Sequence, residues 1–236
     1  MTVPSKDIKA LRRWLLVAAI SFLLVTPLDL AVSQHPDAEA HAERGLRLAR
    51  AGRLEDAETE LRMAAEQAPA NAQILASLGT VLAMEKKLEA SSEIFQRVLK
   101  ISPNDLTARR YLAANLWQLQ RFVDAKKHLA IILKAKPEDA EARLLMGMVA
   151  ENMKDYATAA RMLASVPQQV RQRPESLAAL ARSYYHLGQK ENARTTLTQL
   201  SGPQAVFLGA QIADERQDYG TAEKLLGSIQ STFPDP

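Results

Sequence analysis

The chain of 236 residues contains no cysteine. That excludes disulfides, thiol catalysis, thiolate metal sites and a lipidated N-terminal cysteine. Aromatic residues make up only 5% of the chain, although 47% of it is hydrophobic. Strands draw on aromatic and β-branched residues, so this balance points to helices rich in alanine and leucine. The 9 glycines and 11 prolines fall mostly between apolar runs as punctuation, and no long disordered tract stands out.

A strong charge of one sign is also missing. The formal net charge is +3, and residues 1–33 supply +2 of it through Lys6, Lys9, Arg12 and Arg13 against Asp7 and Asp29. The rest holds 26 of the 30 basic and 25 of the 27 acidic residues. Interspersed signs on a near-neutral body argue against a nucleic-acid partner, which demands a clustered basic face.

Catalytic signatures are absent as well. There is no phosphate-cradling glycine loop ending in Lys-Ser or Lys-Thr, no G-x-S-x-G elbow and no H-E-x-x-H. The four histidines, His35, His41, His128 and His186, include no pair at the i, i+4 spacing of a helical metal site. Glu55, Glu58 and Glu60 near Arg62 read as a solvated helix face with weak pairing. The chain is therefore expected to be no enzyme, with no catalytic residue, no metal and no cofactor.

What is present begins with a targeting segment. The basic residues of the first 13 positions precede an apolar run, Trp14 to Val25, interrupted only by Ser21. Ala31-Val32-Ser33 then offers small residues at signal-peptidase spacing. This three-part layout is that of a secretory signal over residues 1–33, cleaved to leave Gln34 first. Extension to Val32 reaches the roughly 20 residues of a spanning helix, so an uncleaved anchor with membrane contact through residues 11–32 is a second reading. A buried helix is a third. The first two put the remainder outside the cytoplasm, as a periplasmic or secreted protein or one anchored in the inner membrane.

From about residue 36 onward a period dominates. Ala57, Ser91, Ala125, Ala159 and Ala193 are each 34 residues apart. A large apolar residue follows each by four: Leu61, Phe95, Leu129, Leu163 and Leu197. Pro69, Pro103 and Pro137 repeat on the same period. Upstream in each unit comes a bulky-then-small pair: Leu78-Gly79, Leu112-Ala113, Met146-Gly147 and Leu180-Ala181, with Arg44-Gly45 in the first. These spacings lie on single helix faces and describe stacked helical hairpins. Approximate units are 38–71, 72–105, 106–139, 140–173, 174–202 and 203–236. Gly52 and Gly188 suit the tight turn inside a hairpin. Lys86-Lys87, Gln120-Arg121 and Lys154-Asp155 occupy that place elsewhere.

This pattern resembles the tetratricopeptide repeat family over about 200 residues. The resemblance implies an all-α fold, a right-handed α-solenoid of about six hairpins spanning residues 36–236. There are departures. His41, Arg109 and Arg143 stand where the family often has a large residue, which predicts looser outer packing. Pro167 and Pro174 predict a short second helix in the fourth unit and an irregular link over 166–174. The step from Ala193 to Ala222 is only 29 residues.

The family's geometry also implies which residues line the concave face. Carried over, these include Arg50 in the first unit and Met84 in the second. The third contributes Arg110, Trp117 and Gln118. The fourth contributes Met148, Glu151 and Asn152, and the fifth Arg182, Tyr185 and His186. Trp117 and Tyr185 would supply contact area, Met84 and Met148 adaptable apolar surface, and Arg110 and Arg182 partners for peptide carboxylates. The plainer alternative has Trp117 half-buried against the fourth unit and both arginines as ordinary surface charges. The Asn of the family's carboxylate clamp is not reproduced, since that position reads Leu46, Thr80, Ala114, Met148 and Arg182.

The expected function is an exported scaffold that binds a peptide segment of a cell-envelope protein in this groove. The alternative is an accessory or structural subunit of an envelope complex. It would act by self-association or tethering through Leu225, Leu226 and Ile229, which no further helix covers before Pro236.

Overall fold

A computed structural model of the protein describes residues 36–197 and positions 199, 209, 210, 213, 217 and 220. The expected signal or anchor over residues 1–33, Leu225, Leu226 and Ile229, and nearly all of the sixth expected unit lie outside the described residues. Among the described residues every regular element is a helix. In chain order they are α1 (Pro36–Arg50), α2 (Leu54–Gln67), α3 (Ala72–Met84), α4 (Leu88–Ile101), α5 (Leu106–Gln118), α6 (Phe122–Ala135), α7 (Ala140–Asn152), α8 (Tyr156–Ala164), α9 (Pro167–Arg171), α10 (Pro174–His186) and α11 (Lys190–Leu197). They form an α-solenoid of antiparallel hairpins: α1 with α2, α3 with α4, α5 with α6, α7 with α8, and α10 with α11.

Local chemistry sets the helix ends. Asn71, Asp105 and Asp139 cap α3, α5 and α7 by accepting N–H groups of the first turn, at 2.9 to 3.2 Å. Each first helix closes through the same left-handed residue: Gly52, Lys86, Gln120, Lys154 and Gly188, with φ between 59° and 77°. The following amide donates back five residues, as Lys87 does to the Leu82 carbonyl at 2.9 Å and Gln189 to that of Tyr184 at 2.9 Å. The second helices α2, α4 and α6 end two residues before Pro69, Pro103 and Pro137. Pro167 and Pro174 behave differently. Each starts a helix at its first turn, where a missing N–H costs nothing. The irregular link expected over 166–174 therefore contains the short helix α9.

Each hairpin crosses where its small residue meets a bulky one. Gly45 faces Leu61, Gly79 faces Phe95 and Gly147 faces Leu163. Ser91 replaces alanine in the second hairpin without leaving a stranded hydroxyl. It donates to the Gly79 carbonyl at 2.7 Å and accepts from Asn115 Nδ2 at 2.7 Å. The looser packing expected at His41, Arg109 and Arg143 gives way to specific bonds. His41 Nδ1 lies 2.6 Å from Glu60 Oε2, Arg109 donates to the Pro103 carbonyl, and Arg143 Nε donates to that of Pro137 at 2.7 Å.

Among α1 to α8, successive first helices touch one another, whereas successive second helices touch only the first helices beside them. The second helices are thus splayed and the first helices crowded. The first helices line the inner face, and α2, α4, α6 and α8 form the outer one.

Candidate functional site

On the inner face α5 and α7 diverge to leave a cleft of about 390 Å³. Thr107, Arg110, Tyr111, Ala114, Trp117 and Gln118 form one wall, on one face of α5. Glu141, Leu144, Leu145 and Met148 form the other, and the start of α10 closes one end. The floor is apolar. Met148 is only 8% exposed and packs in a cluster with Leu144, Val170 and Leu177. Tyr111 is 41% exposed, with its ring stacked on buried Phe95 at 5.1 Å between centroids.

Polar groups close both ends. At the α10 end Arg173 donates to Glu141 Oε2 at 3.0 Å. At the other end Trp117 Nε1 donates to Asn152 Oδ1 at 2.7 Å. Asn152 Nδ2 donates to Glu151 Oε2 at 3.0 Å, and Arg182 donates to Glu151 Oε1 at 2.6 Å. A chain of hydrogen bonds thus crosses three hairpins, with the Glu151 side chain only 7% exposed at its centre. A second hollow, of about 460 Å³, lies beside it between Glu151, Asn152, Lys154, Tyr156, Arg182 and His186. The His186 ring stacks on Tyr156 at 4.1 Å.

The sequence-derived groove residues separate accordingly. Arg110, Trp117, Gln118 and Met148 line the cleft, while Asn152, Arg182 and His186 line the neighbouring hollow. Arg50 and Met84 are exposed at the last turns of α1 and α3 and line neither. Tyr185 is half-buried beside Ala181. Two roles differ from expectation. Met148 is a packed floor rather than adaptable surface. Arg182 already has a carboxylate partner in Glu151, so its charge is spent inside the fold. Arg110 is less engaged: its nearest acidic group is Asp139 Oδ2 at 3.6 Å, and its Nε has no hydrogen-bond partner.

Tyr111, Leu145, Glu141 and Arg173 were not anticipated from the sequence. Tyr111 and Leu145 are 34 residues apart, so the period itself marks them as equivalent positions. Arg173 comes from the segment between α9 and α10, where the period breaks. Among the described residues no group of three His, Cys, Asp or Glu side chains is gathered for a metal ion. No described helix is long and apolar enough to cross a membrane.

Three tetratricopeptide repeat profiles match the sequence, over residues 42–105, 82–149 and 175–201, together more than half of the chain. No curated protein sequence matches significantly. Among solved structures, PilF of Pseudomonas aeruginosa superposes with a TM-score of 0.63 at 21% identity, over 85% of this chain and 94% of its own. PilW, described as a type IV pilus biogenesis factor, gives 0.66 at 18% identity, over 84% and 94%. YrrB, described as a tetratricopeptide repeat protein with an unusual peptide-binding site, gives 0.61 at 18% identity, over 82% and 98%. At these identities the likeness is one of fold.

Proposed function

The chain belongs to the tetratricopeptide repeat family, and from that premise we propose that it is a non-enzymatic scaffold holding an extended segment of a partner protein on its inner face. The observation that carries this reading is the cleft between α5 and α7. Its floor is apolar, its ends are fixed by hydrogen bonds, and Trp117, Tyr111 and Arg110 stand at its walls. Residues of these types dominate binding energy at protein interfaces. A preformed slot also spares the ordering cost of assembling one on contact. The peptide-binding site named for YrrB and the pilus role named for PilW are in keeping with such use.

The same proposal includes export. Residues 1–33 have the layout of a signal or anchor, and the partner is then a cell-envelope protein. N-terminal sequencing of the mature protein tests this half. A start at Gln34 supports cleavage, and an intact Met1 in the membrane fraction supports the anchor.

The groove is tested by filling it. Ala114 faces the cleft from the middle of α5 and is half-buried. Ala114→Trp should block the slot while leaving the helical circular dichroism unchanged. Partners captured from the native envelope by the wild-type chain should be lost with this variant. The same proteins in both captures would remove the groove from the reading.

A further inference from the structure

Four charged side chains line the cleft between α5 and α7: Arg110, Glu141, Arg173 and Glu175. Arg173 and Glu141 bond each other at 3.0 Å. Glu175 is exposed in the first turn of α10, where the amide end of the helix offsets its charge. Arg110 is different. Asp139, its nearest acidic group, caps α7 through Oδ1, and its Oδ2 stands 3.6 Å from Arg110 Nη2, beyond hydrogen-bonding distance. Among the described residues Arg110 therefore donates no hydrogen bond, although a guanidinium has five N–H donors to place. Its Nε is buried, but 35% of the side chain stays open, on the wall of the cleft.

One turn further along α5 is Ala114, half-buried on the same wall. The equivalent positions of the second, fourth and fifth hairpins hold Thr80, Met148 and Arg182. Alanine is the smallest of the four, and it leaves open the space between Tyr111, Trp117 and the Met148 floor. Four residues of α-helix advance about 6 Å. In an extended chain, side chains two residues apart point the same way and stand about 6.6 Å apart. The apolar space and the under-bonded guanidinium therefore match two successive same-side positions of an extended segment.

Resting on the cleft as the site of binding, we propose that its occupant is an extended segment with a large apolar side chain and, two residues away, an aspartate or glutamate. The apolar side chain seats over Ala114. The carboxylate reaches Arg110, whose planar fork can hold both of its oxygens. One acidic residue is read rather than two, because Arg182 is already bonded to Glu151 at 2.6 Å. It is a side chain within the segment and needs no free chain end. A lysine in its place would meet Arg110 with like charge, so the same arginine also rejects basic segments.

Fluorescence anisotropy with the full chain tests this. The probe is a fluorescein-labelled peptide, Ala-Asp-Ala-Phe-Ala-Asp-Ala, which carries the acid on both sides and so fits either chain direction. One control has lysine for both aspartates, and another has alanine for phenylalanine. The wild type should bind the probe about ten-fold or more tightly than either control. Arg110→Gln should remove the preference for aspartate over lysine, and Arg110→Glu should reverse it, both with unchanged helicity and an unchanged need for phenylalanine. Equal binding of the aspartate and lysine peptides by the wild type would overturn the proposal while leaving the cleft as a binding site. So would a preference for aspartate that survives Arg110→Glu. Binding of no peptide at all, or undiminished binding by Ala114→Trp, would remove the cleft as the site and the proposal with it.

Discussion

Gly147 and Leu163 are so close that a Cβ on the glycine would lie 2.5 Å from Leu163 Cγ. A Cβ on Gly45 would likewise fall 2.7 Å from Leu61 Cγ. The two helices of a hairpin cross at this point, and the absent side chain sets how near they come. Gly147→Ala gains about 1 kcal/mol of helix propensity but forces Leu163 out of place, at about 1–3 kcal/mol. A net loss of stability in urea unfolding is expected. The loss should shrink when Leu163→Ala is added, since the two residues share one space.

Lys86, Gln120 and Lys154 adopt the left-handed conformation that Gly52 and Gly188 adopt in the first and fifth hairpins. For a residue with a Cβ that conformation costs about 1–2 kcal/mol, part of which glycine's larger unfolded entropy offsets. Each glycine substitution at these three sites should stabilise the fold by about 0.5–1 kcal/mol. Gly52→Ala should do the reverse. Thermal melts of the four single variants test the set.

Ser91 and Asn115 form a buried polar pair between the second and third hairpins, at 0% and 2% exposure. Ser91→Ala leaves Asn115 Nδ2 buried without its acceptor. The expected loss is about 1–3 kcal/mol, the cost of stranding a buried polar group. Asn115→Leu placed in the same background should recover part of it, and a double-mutant cycle by urea unfolding would measure how much.

The Glu85 side chain is 7% exposed; Lys87 Nζ lies 3.3 Å from its Oε2 as an ion pair, but neither carboxylate oxygen accepts a hydrogen bond of good geometry. Burial, and Glu58 beside it, push its pKa up. Glu58 moves the other way: burial alone would raise it, but the bonds from Lys87 and Arg62 outweigh that and hold it down. A carboxyl with a raised folded pKa contributes its stability below the unfolded pKa and loses it as pH rises through the folded one. Glu85→Gln should therefore stabilise the protein at neutral pH, by about 1 kcal/mol, and change little in acid. Urea midpoints at the two pH values decide.

Much of this architecture is legible before any fold is drawn. The small residues at 57, 91, 125, 159 and 193, and the bulky ones four later, state which faces of the second helices are buried. Prolines and capping carboxylates state where helices stop and start. Pro167 and Pro174 were harder to place, because proline suits the first turn of a helix as well as the end of one. The site was only half legible. Arg110, Trp117 and Met148 do line one cleft, but Tyr111 and Arg173 join them through the angle between α5 and α7 and through the break at α9.

The amino-acid sequence by itself determined the all-α hairpins, their period and the crossing points, since these depend on spacings within one or two helical turns and on a register repeated every 34 residues. Only the tertiary structure decided which groove charges are already spent. Arg182 bonds Glu151 from 31 residues away, and Trp117 bonds Asn152 from 35. Those pairs form between neighbouring hairpins, where the stacking angle fixes which side chains meet, and no local periodicity contains that angle.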